Sequence, residues 1–220
     1  MEHRLNILKM VQAMVIAIVA GPVAAQAAGL ASELVPLQVP DLEHAKWTVE
    51  NLAQLAATQT GAPRVRTQRL VTVIKNLFTA EYQVGMAAAA GRKSERQARY
   101  QEHMSRQWMK PNAFGRVNDD AARESLDTAA KIRALAAQRM AAAQQNFSSQ
   151  LQEVDSVVRD FHQLKEFEVV LVLAQTAAAL EERSLAAGLP KSFPKAAVTR
   201  LRAAIQQQRT AVEFNRSACI

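Results

Sequence analysis

Apolar residues recur at spacings of three and four along most of this chain, which places them on single helical faces and predicts long α-helices. The first such run, 42–56, follows Asp41, whose carboxylate can accept a free backbone amide as a helix N-cap. Gly61 and Pro63 are expected to end that helix, and a second helix is predicted over about 65–90, with Gly91 as the residue that follows its C-terminus. The short turn between the two helices predicts an antiparallel hairpin.

The second half of the chain predicts one very long or kinked helix. Helical spacing continues over 120–187, and Gly188 and Pro190 follow. Unbroken, such a helix would be on the order of 100 Å long. A kink is expected at 146–149, whereas the apolar run 169–173 is interpreted as buried helix because no turn residue bounds it.

Composition supports the same fold class. Aromatic residues make up 5% of the 220, and glycine and proline number seven each, which is typical of long helices rather than sheets. We therefore predict an all-α fold, an elongated bundle of long antiparallel helices that forms a single domain over 41–216. An irregular basic region is expected at 91–119 and a tail at 217–220. Alanine-rich helix interfaces bury little area per residue, so such a bundle often needs partners.

The N-terminal residues have the features of a cleavable signal peptide. Two cations precede an apolar run, 10–20, which is shorter than the ~20 residues that a membrane-spanning helix needs. Residues 25–27 then have the small-x-small pattern at which signal peptidases cut. We predict that 1–27 is removed, that 28–40 is a linker containing Pro36 and Pro40, and that the protein is exported to the periplasm or cell surface. The alternative is an uncleaved anchor or a cytoplasmic N-terminal helix.

The basic stretch that follows the second predicted helix is the candidate partner-binding site. Its cations are interleaved with aromatic side chains, and the candidate residues are Arg92, Arg96, Arg99, Tyr100, Arg106, Trp108 and Lys110. Such a mixture can bind nucleic acid through phosphate charge and base stacking. Outside the cytoplasm, however, anionic lipid headgroups or an acidic protein are better candidates, and no nucleic acid is expected. The alternative is a solvated loop whose Trp108 packs into the bundle.

No residue pattern predicts catalysis, a cofactor or a metal. The sequence has no glycine fingerprint, P-loop, CxxCH motif or supported catalytic triad, so the chain is predicted not to be an enzyme, and a haem-binding bundle is only a formal alternative. His162 and Glu166 are four apart, but a zinc site usually needs three or four ligands, so we interpret them as a solvated salt-bridging face. Glu181 and Glu182 are interpreted as solvated surface too. Cys219 is the only cysteine and is interpreted as an incidental thiol, with an intermolecular disulfide as the alternative.

The order of elements carries a family resemblance. VAAQAAGL is followed by VPLQVPDLEHAKWTVENLAQL, LDTAAKIRALAAQRMAAAQQNFSSQLQEV and LVLAQTAAALEERSLAA. This layout resembles the exported minor-pilus (pilus-tip) proteins of type IV secretion and conjugative-transfer systems. The resemblance implies a non-enzymatic protein that caps or initiates a pilus, contacts envelope or pilus proteins and touches recipient or host cells. It would not be an integral membrane protein once processed, and oligomerisation is open. The alternative is a periplasmic helical chaperone or envelope adaptor, which should expose a large apolar groove.

Overall fold

The computed structural model describes Leu30, 32–38, 41–186, Ala203 and Gln206. These residues contain no strand, so the all-α prediction is confirmed for them. The elements are a 3-10 turn, Val35–Gln38, and four α-helices of the described region: α1, Leu42–Thr58; α2, Gly61–Trp108; α3, Asp119–Gln163; and α4, Phe167–Ala186. The predicted signal peptide, the helix expected after Pro194, the tail and Cys219 lie outside the described residues.

The start of α1 follows the sequence prediction. Asp41 has an extended backbone, and its carboxylate accepts a hydrogen bond from the His44 amide at 2.8 Å, as an N-cap should. This bond is the main reason why the pKa of Asp41 lies below its ordinary value. Gly61 and Pro63, by contrast, open α2 rather than close α1. Gly61 has φ +63°, and proline in a first helical turn sacrifices no intrahelical hydrogen bond.

The predicted irregular region at 91–119 is wrong over 91–108, where α2 continues without interruption. Gly91 is not a C-terminal residue, because the residues after it are mostly good helix formers that outweigh its cost of about 1 kcal/mol. Ion pairs from Glu95 to Arg99, one turn on, and to Arg133 of α3 hold this part of α2. Only 109–118 is a loop.

The long second-half helix breaks at a place other than the predicted 146–149. Helix α3 passes through that segment, with Phe147 buried. The break falls at 164–166, where the Glu166 amide donates to the Phe161 carbonyl and the Lys165 amide donates to the His162 carbonyl, both at 3.0 Å. This pattern is a Schellman motif, with Lys165 at φ +62° in the position that glycine usually takes. The interpretation of 169–173 as buried helix is confirmed within α4.

The chain divides into two compact units. The described part of unit 1 contains the N-terminal residues to Phe78 and 150–183. Its core contains leucine, valine, isoleucine and phenylalanine from every element, including Leu34, Leu37, Leu52, Leu70, Ile74, Leu77, Val154, Phe161, Val170 and Leu180. Burying a side chain of this size stabilises a fold by about 1.5–3 kcal/mol, before any correction for the unfolded chain.

The linker predicted at 28–40 is wrong for 32–38, which are helical and belong to unit 1. Leu34 and Leu37 are fully buried, and the Leu37 carbonyl accepts a hydrogen bond from the Thr176 hydroxyl of α4 at 3.1 Å. Asn51 of α1 donates to Glu33 at 3.0 Å. Two prolines suggest a linker, but Pro36 lies inside a 3-10 turn whose Leu37 packs into the core.

Within unit 1, Arg69 of α2 forms ion pairs with Glu153 and Asp160 of α3. Within unit 2, which contains 79–149, Gln83 of α2 is bonded to Asn146 of α3 at 2.8 Å. Further along unit 2, Glu95 of α2 accepts a hydrogen bond from Arg133 of α3. Within unit 2, higher numbers on α2 therefore meet lower numbers on α3, so the two helices are antiparallel there, as predicted.

Unit 2 has an interface of small side chains. The buried residues along its α2 and α3 segments are mainly alanine and serine, among them Ala88, Ala98, Ser105, Ala122, Ser125 and Ala129. Its larger apolar residues are often exposed, including Tyr82, Met86, Tyr100, Leu126 and Leu135. Small side chains let two helices approach closely but remove little apolar area from water.

Candidate functional site

The seven predicted partner-binding residues all belong to α2 or to the loop directly after it, and all are exposed. At 100° per residue, Arg92, Arg96, Arg99 and Arg106 fall within about 80° of arc on α2. This stripe, here called the basic face, lies on the side of α2 away from Ala98 and Ser105, which are buried. Continuous helix, rather than an irregular loop, is therefore what aligns the arginines.

The two acidic residues among these cations form ion pairs within unit 2. Glu95 accepts hydrogen bonds from Arg133 of α3 at 2.9 Å and from Arg99 at 3.0 Å, and Glu102 accepts one from Arg133. The bonds from Arg133, followed by those from Arg99, lower the pKa of Glu95 to about 2, and Arg133 also lowers the pKa of Glu102. Both carboxylates are thus ionised at neutral pH and oriented toward Arg133.

The consequence is an excess of positive charge on the outer side of α2. Within the part of the chain that the structure describes, Arg92, Lys93, Arg96 and Arg106 form no ion pair. A groove of about 580 Å³ lies beside Lys93 and Arg96, and Tyr100, which is 60% exposed, lines it. We call this the basic groove; it is lined by Lys93, Arg96, Gln97, Tyr100, Gln101 and Ile132.

Trp108 and Lys110 belong to a second concave surface, at the α2–α3 loop. Trp108 is 42% exposed, so the alternative that it packs into the bundle is wrong. A cavity of about 810 Å³ there is lined by Trp108, Lys110, Arg116 and Val117, together with Asp119 and Asp120 at the start of α3 and several polar neighbours. Arg116, Val117 and the neighbouring Phe114 belong to no sequence pattern that predicts a binding site, although the Asn-Ala-Phe-Gly run is a local turn signal.

The structure separates the histidine and glutamate that the sequence places four apart. His162 lies at the end of α3, exposed, and its ring meets Phe167 edge-on with centroids 5.1 Å apart. Glu166 is only 8% exposed, so the interpretation as a solvated face is wrong for it. Burial raises the pKa of Glu166, and the positive charge of Arg66 opposes that rise. Glu181 is also buried, which corrects its assignment to solvated surface, whereas Glu182 is exposed.

The described residues contain no cluster of three or more histidine, cysteine, aspartate or glutamate side chains arranged to hold a metal ion. None of the helices there combines the length and apolar character that crossing a bilayer requires.

Comparisons with known proteins add no relative. The chain matches no protein-family model, no curated protein and no solved structure. Any function must therefore be argued from the residues and the geometry above.

Proposed function

We propose that this protein is a non-enzymatic interaction protein, and that unit 2 binds an acidic partner protein along the basic face and basic groove. The observation that supports this proposal is the pattern of ion pairs. Glu95 pairs with Arg133 and Arg99, and Glu102 pairs with Arg133. Arg92, Lys93 and Arg96 therefore have no acidic partner among the described residues. A partner carboxylate can supply the missing charge, and Tyr100 offers an aromatic ring with a polar tip beside it.

The composition of unit 2 is consistent with such a role. Its helices pack through alanine and serine, so they expose side chains that a larger interface would normally cover. Aromatic residues and arginine are the types enriched at protein interfaces. Charge complementarity at such a surface mainly raises the association rate and the specificity.

We further propose that the protein is exported and acts as a minor pilus component of a type IV secretion or conjugation system. The support for this is the resemblance of the sequence layout and the signal-like N-terminal segment. Envelope or pilus proteins are then the expected partners. A periplasmic helical chaperone or envelope adaptor is the alternative within the same general class.

Photo-crosslinking in cells tests the interaction surface. A benzophenone amino acid replaces Tyr100, and crosslinked products are identified in cell fractions. We expect one or a few defined envelope proteins, lost when Lys93 and Arg96 are changed to glutamate. The matched control changes Lys131 and Arg139, exposed cations of α3 outside the groove, to glutamate and should retain the products.

The crosslinked products distinguish the pilus component from the chaperone and test the groove as the binding surface. A heterogeneous set of unfolded clients would favour the chaperone, and equal crosslinking in both double variants would refute the groove as the binding surface. Recovery of the intact precursor only in cytosol would refute export. Replacing Arg106 and Trp108 with alanine should also weaken partner or surface binding while far-UV circular dichroism stays unchanged, because both side chains are exposed.

A further inference from the structure

The α2–α3 loop gathers exposed apolar side chains that the fold does not use. Phe114 is 87% exposed, the highest value among the large apolar residues described as exposed. Trp108, Met109 and Val117 are also exposed. Isolated exposed apolar residues are ordinary, but here four occur within 108–117.

This exposure belongs to a defined turn. The Asn112 side-chain oxygen accepts hydrogen bonds from the Phe114 amide at 2.9 Å and the Arg116 amide at 3.0 Å. The Gly115 amide donates to the Asn112 carbonyl, and Gly115 has φ +72°, which glycine adopts without strain. At the base of the loop, the Asn118 amide donates to the Trp108 carbonyl at 3.1 Å. The turn therefore holds Phe114 in solvent, so little ordering entropy remains to be lost on binding.

The charge around this turn is positive. The sequence has no acidic residue from 103 to 118, and Arg106, Lys110 and Arg116 form no ion pair within the described residues. Asp119, Asp120 and Arg123 line the cavity beside Lys110 and Arg116, so the charges of these five cavity residues sum to +1. Electrostatic attraction alone is consequently modest, and the apolar side chains must supply the rest of any binding.

We propose that this turn is a docking site for a bilayer surface that contains anionic lipid. Tryptophan and phenylalanine suit the headgroup boundary, where an aromatic ring enters the apolar region while neighbouring lysine and arginine reach lipid phosphates. A protein partner fits less well, because a stable interface takes about 20–30 residues from each side, more than 108–117 provides. The proposal concerns a different surface from the basic groove and does not depend on the proposed function.

Depth-dependent fluorescence quenching tests the proposal on the full chain. The sequence has two tryptophans, so Trp47→Phe leaves Trp108 as the only tryptophan reporter. With vesicles of brominated phosphatidylglycerol and phosphatidylcholine, we expect Trp108 fluorescence to be quenched. Vesicles of brominated phosphatidylcholine alone should give little quenching. Because the reporter is the last residue of α2, at the base of the loop, binding through the N-terminal apolar segment does not produce this signal by itself.

Matched substitutions assign the contribution of each side chain. Phe114→Ser should weaken vesicle association about tenfold, from the apolar area it no longer buries, whereas Leu135→Ser, at a 49% exposed position of α3, should not. Changing Lys110 and Arg116 to glutamine should weaken association with anionic vesicles. The control pair Lys131 and Arg139, changed in the same way, should not.

Four results would overturn the proposal. The first is an unquenched Trp108 with vesicles that sediment the protein. The second is equal vesicle association of the Phe114→Ser and Leu135→Ser variants. The third is Phe114-dependent binding to an acidic protein without vesicle binding, which would make the turn a protein-docking site. The fourth is loss of vesicle association when Lys93 and Arg96 are changed to glutamate, while the Phe114→Ser variant still binds as the parent does. That result would mean that the basic groove, and not the turn, contacts the membrane.

Discussion

Replacing Glu166 with glutamine should stabilise unit 1 at neutral pH. Glu166 is 8% exposed, and its Oε2 atom has no hydrogen-bond partner within the described residues. The Nε atom of Arg66, the nearby cation, is likewise buried without a partner. The carboxylate therefore loses hydration on folding without gaining a hydrogen bond at that oxygen, and glutamine keeps the shape without the charge.

The magnitude follows from two opposing contributions. A buried polar group without a partner costs about 1–3 kcal/mol, and more when it is charged. Glu166 directly precedes α4, where a negative charge at the helix N-terminus recovers about 0.3–1 kcal/mol. Arg66 is partly exposed and offsets a further part of the cost. Desolvation is the larger contribution, so Glu166→Gln should raise the free energy of unfolding by about 1–2 kcal/mol.

The pH dependence gives an independent check. Burial raises the pKa of Glu166 in the folded protein above its ordinary value of 4.5, so the unfolded chain releases this proton more easily than the folded one. The contribution of Glu166 to stability is therefore complete below about pH 4.5 and is lost as the pH rises through the raised folded pKa. Glutamine does not titrate, so the advantage of the variant should grow with pH.

Urea unfolding followed by circular dichroism at pH 4 and pH 7.5 measures this difference. The control is Glu168→Gln, because Glu168 lies exposed in the first turn of α4. We expect Glu166→Gln to increase the urea midpoint at pH 7.5 and to differ little from the parent at pH 4. A lower midpoint at pH 7.5 would refute the reasoning, because it would mean that Glu166 is held by an attraction to Arg66 stronger than its desolvation.

Three further perturbations test the packing, the ion pairs and the cap. Phe161→Asp should abolish the cooperative thermal transition of unit 1, since an unpaired buried charge costs several kcal/mol or more, whereas Leu135→Asp should melt as the parent does. Arg133→Gln should raise the pKa of Glu95 from about 2 toward its ordinary 4.5, measured by carboxyl NMR titration. Asp41→Ala should speed hydrogen exchange in the first turn of α1, because the N-cap bond is lost.

Each of these has its own control or contrary result. An unchanged melting curve for Phe161→Asp would mean that the buried face of α3 is assigned wrongly. For the ion pair, Arg139→Gln should leave the pKa of Glu95 unaffected. Because the pKa of Glu95 is lower in the folded protein, its ion pairs stabilise the protein above about pH 4.5. This contribution is lost as the pH falls toward about 2. The Arg133→Gln variant should therefore lose less stability on acidification than the parent does. Exchange that is fast in the parent already would contradict the role of the Asp41 cap.

Helix boundaries show where local sequence signals are sufficient and where they fail. Asp41 predicts the start of α1 because the cap bond spans only three residues. Gly91 and 146–149 suggest breaks that do not occur, because contacts from the opposite helix stabilise α2 and α3 in this part of unit 2. Lys165 ends α3 without any glycine or proline. The cost of its positive φ is offset because the turn at Lys165 lets the end of α3 and the start of α4 both bury their apolar faces.

The candidate site also combines features that the sequence predicts with features that it does not. The seven residues of the basic segment can be selected from composition and interleaving alone, and helical spacing then aligns four of its arginines. Their pairing could not be predicted, since Arg133 lies 38 residues from Glu95 and 31 from Glu102. The same limit applies to Phe114, whose exposure follows from how Asn112 organises the loop.

By itself, the sequence determined that the described chain is helical, where α1 begins, and that alanine-rich interfaces would bury little. These properties depend on hydrogen bonds and side-chain spacings within a few residues, which the order of amino acids encodes directly. Only the tertiary structure decided where α2 and α3 end, that 32–38 join a core, that Glu166 is buried, and which cations keep no partner within the described region. Those features depend on contacts between residues that are far apart in the chain. Which of these residues come into contact determines which side chains are buried and which charges form ion pairs.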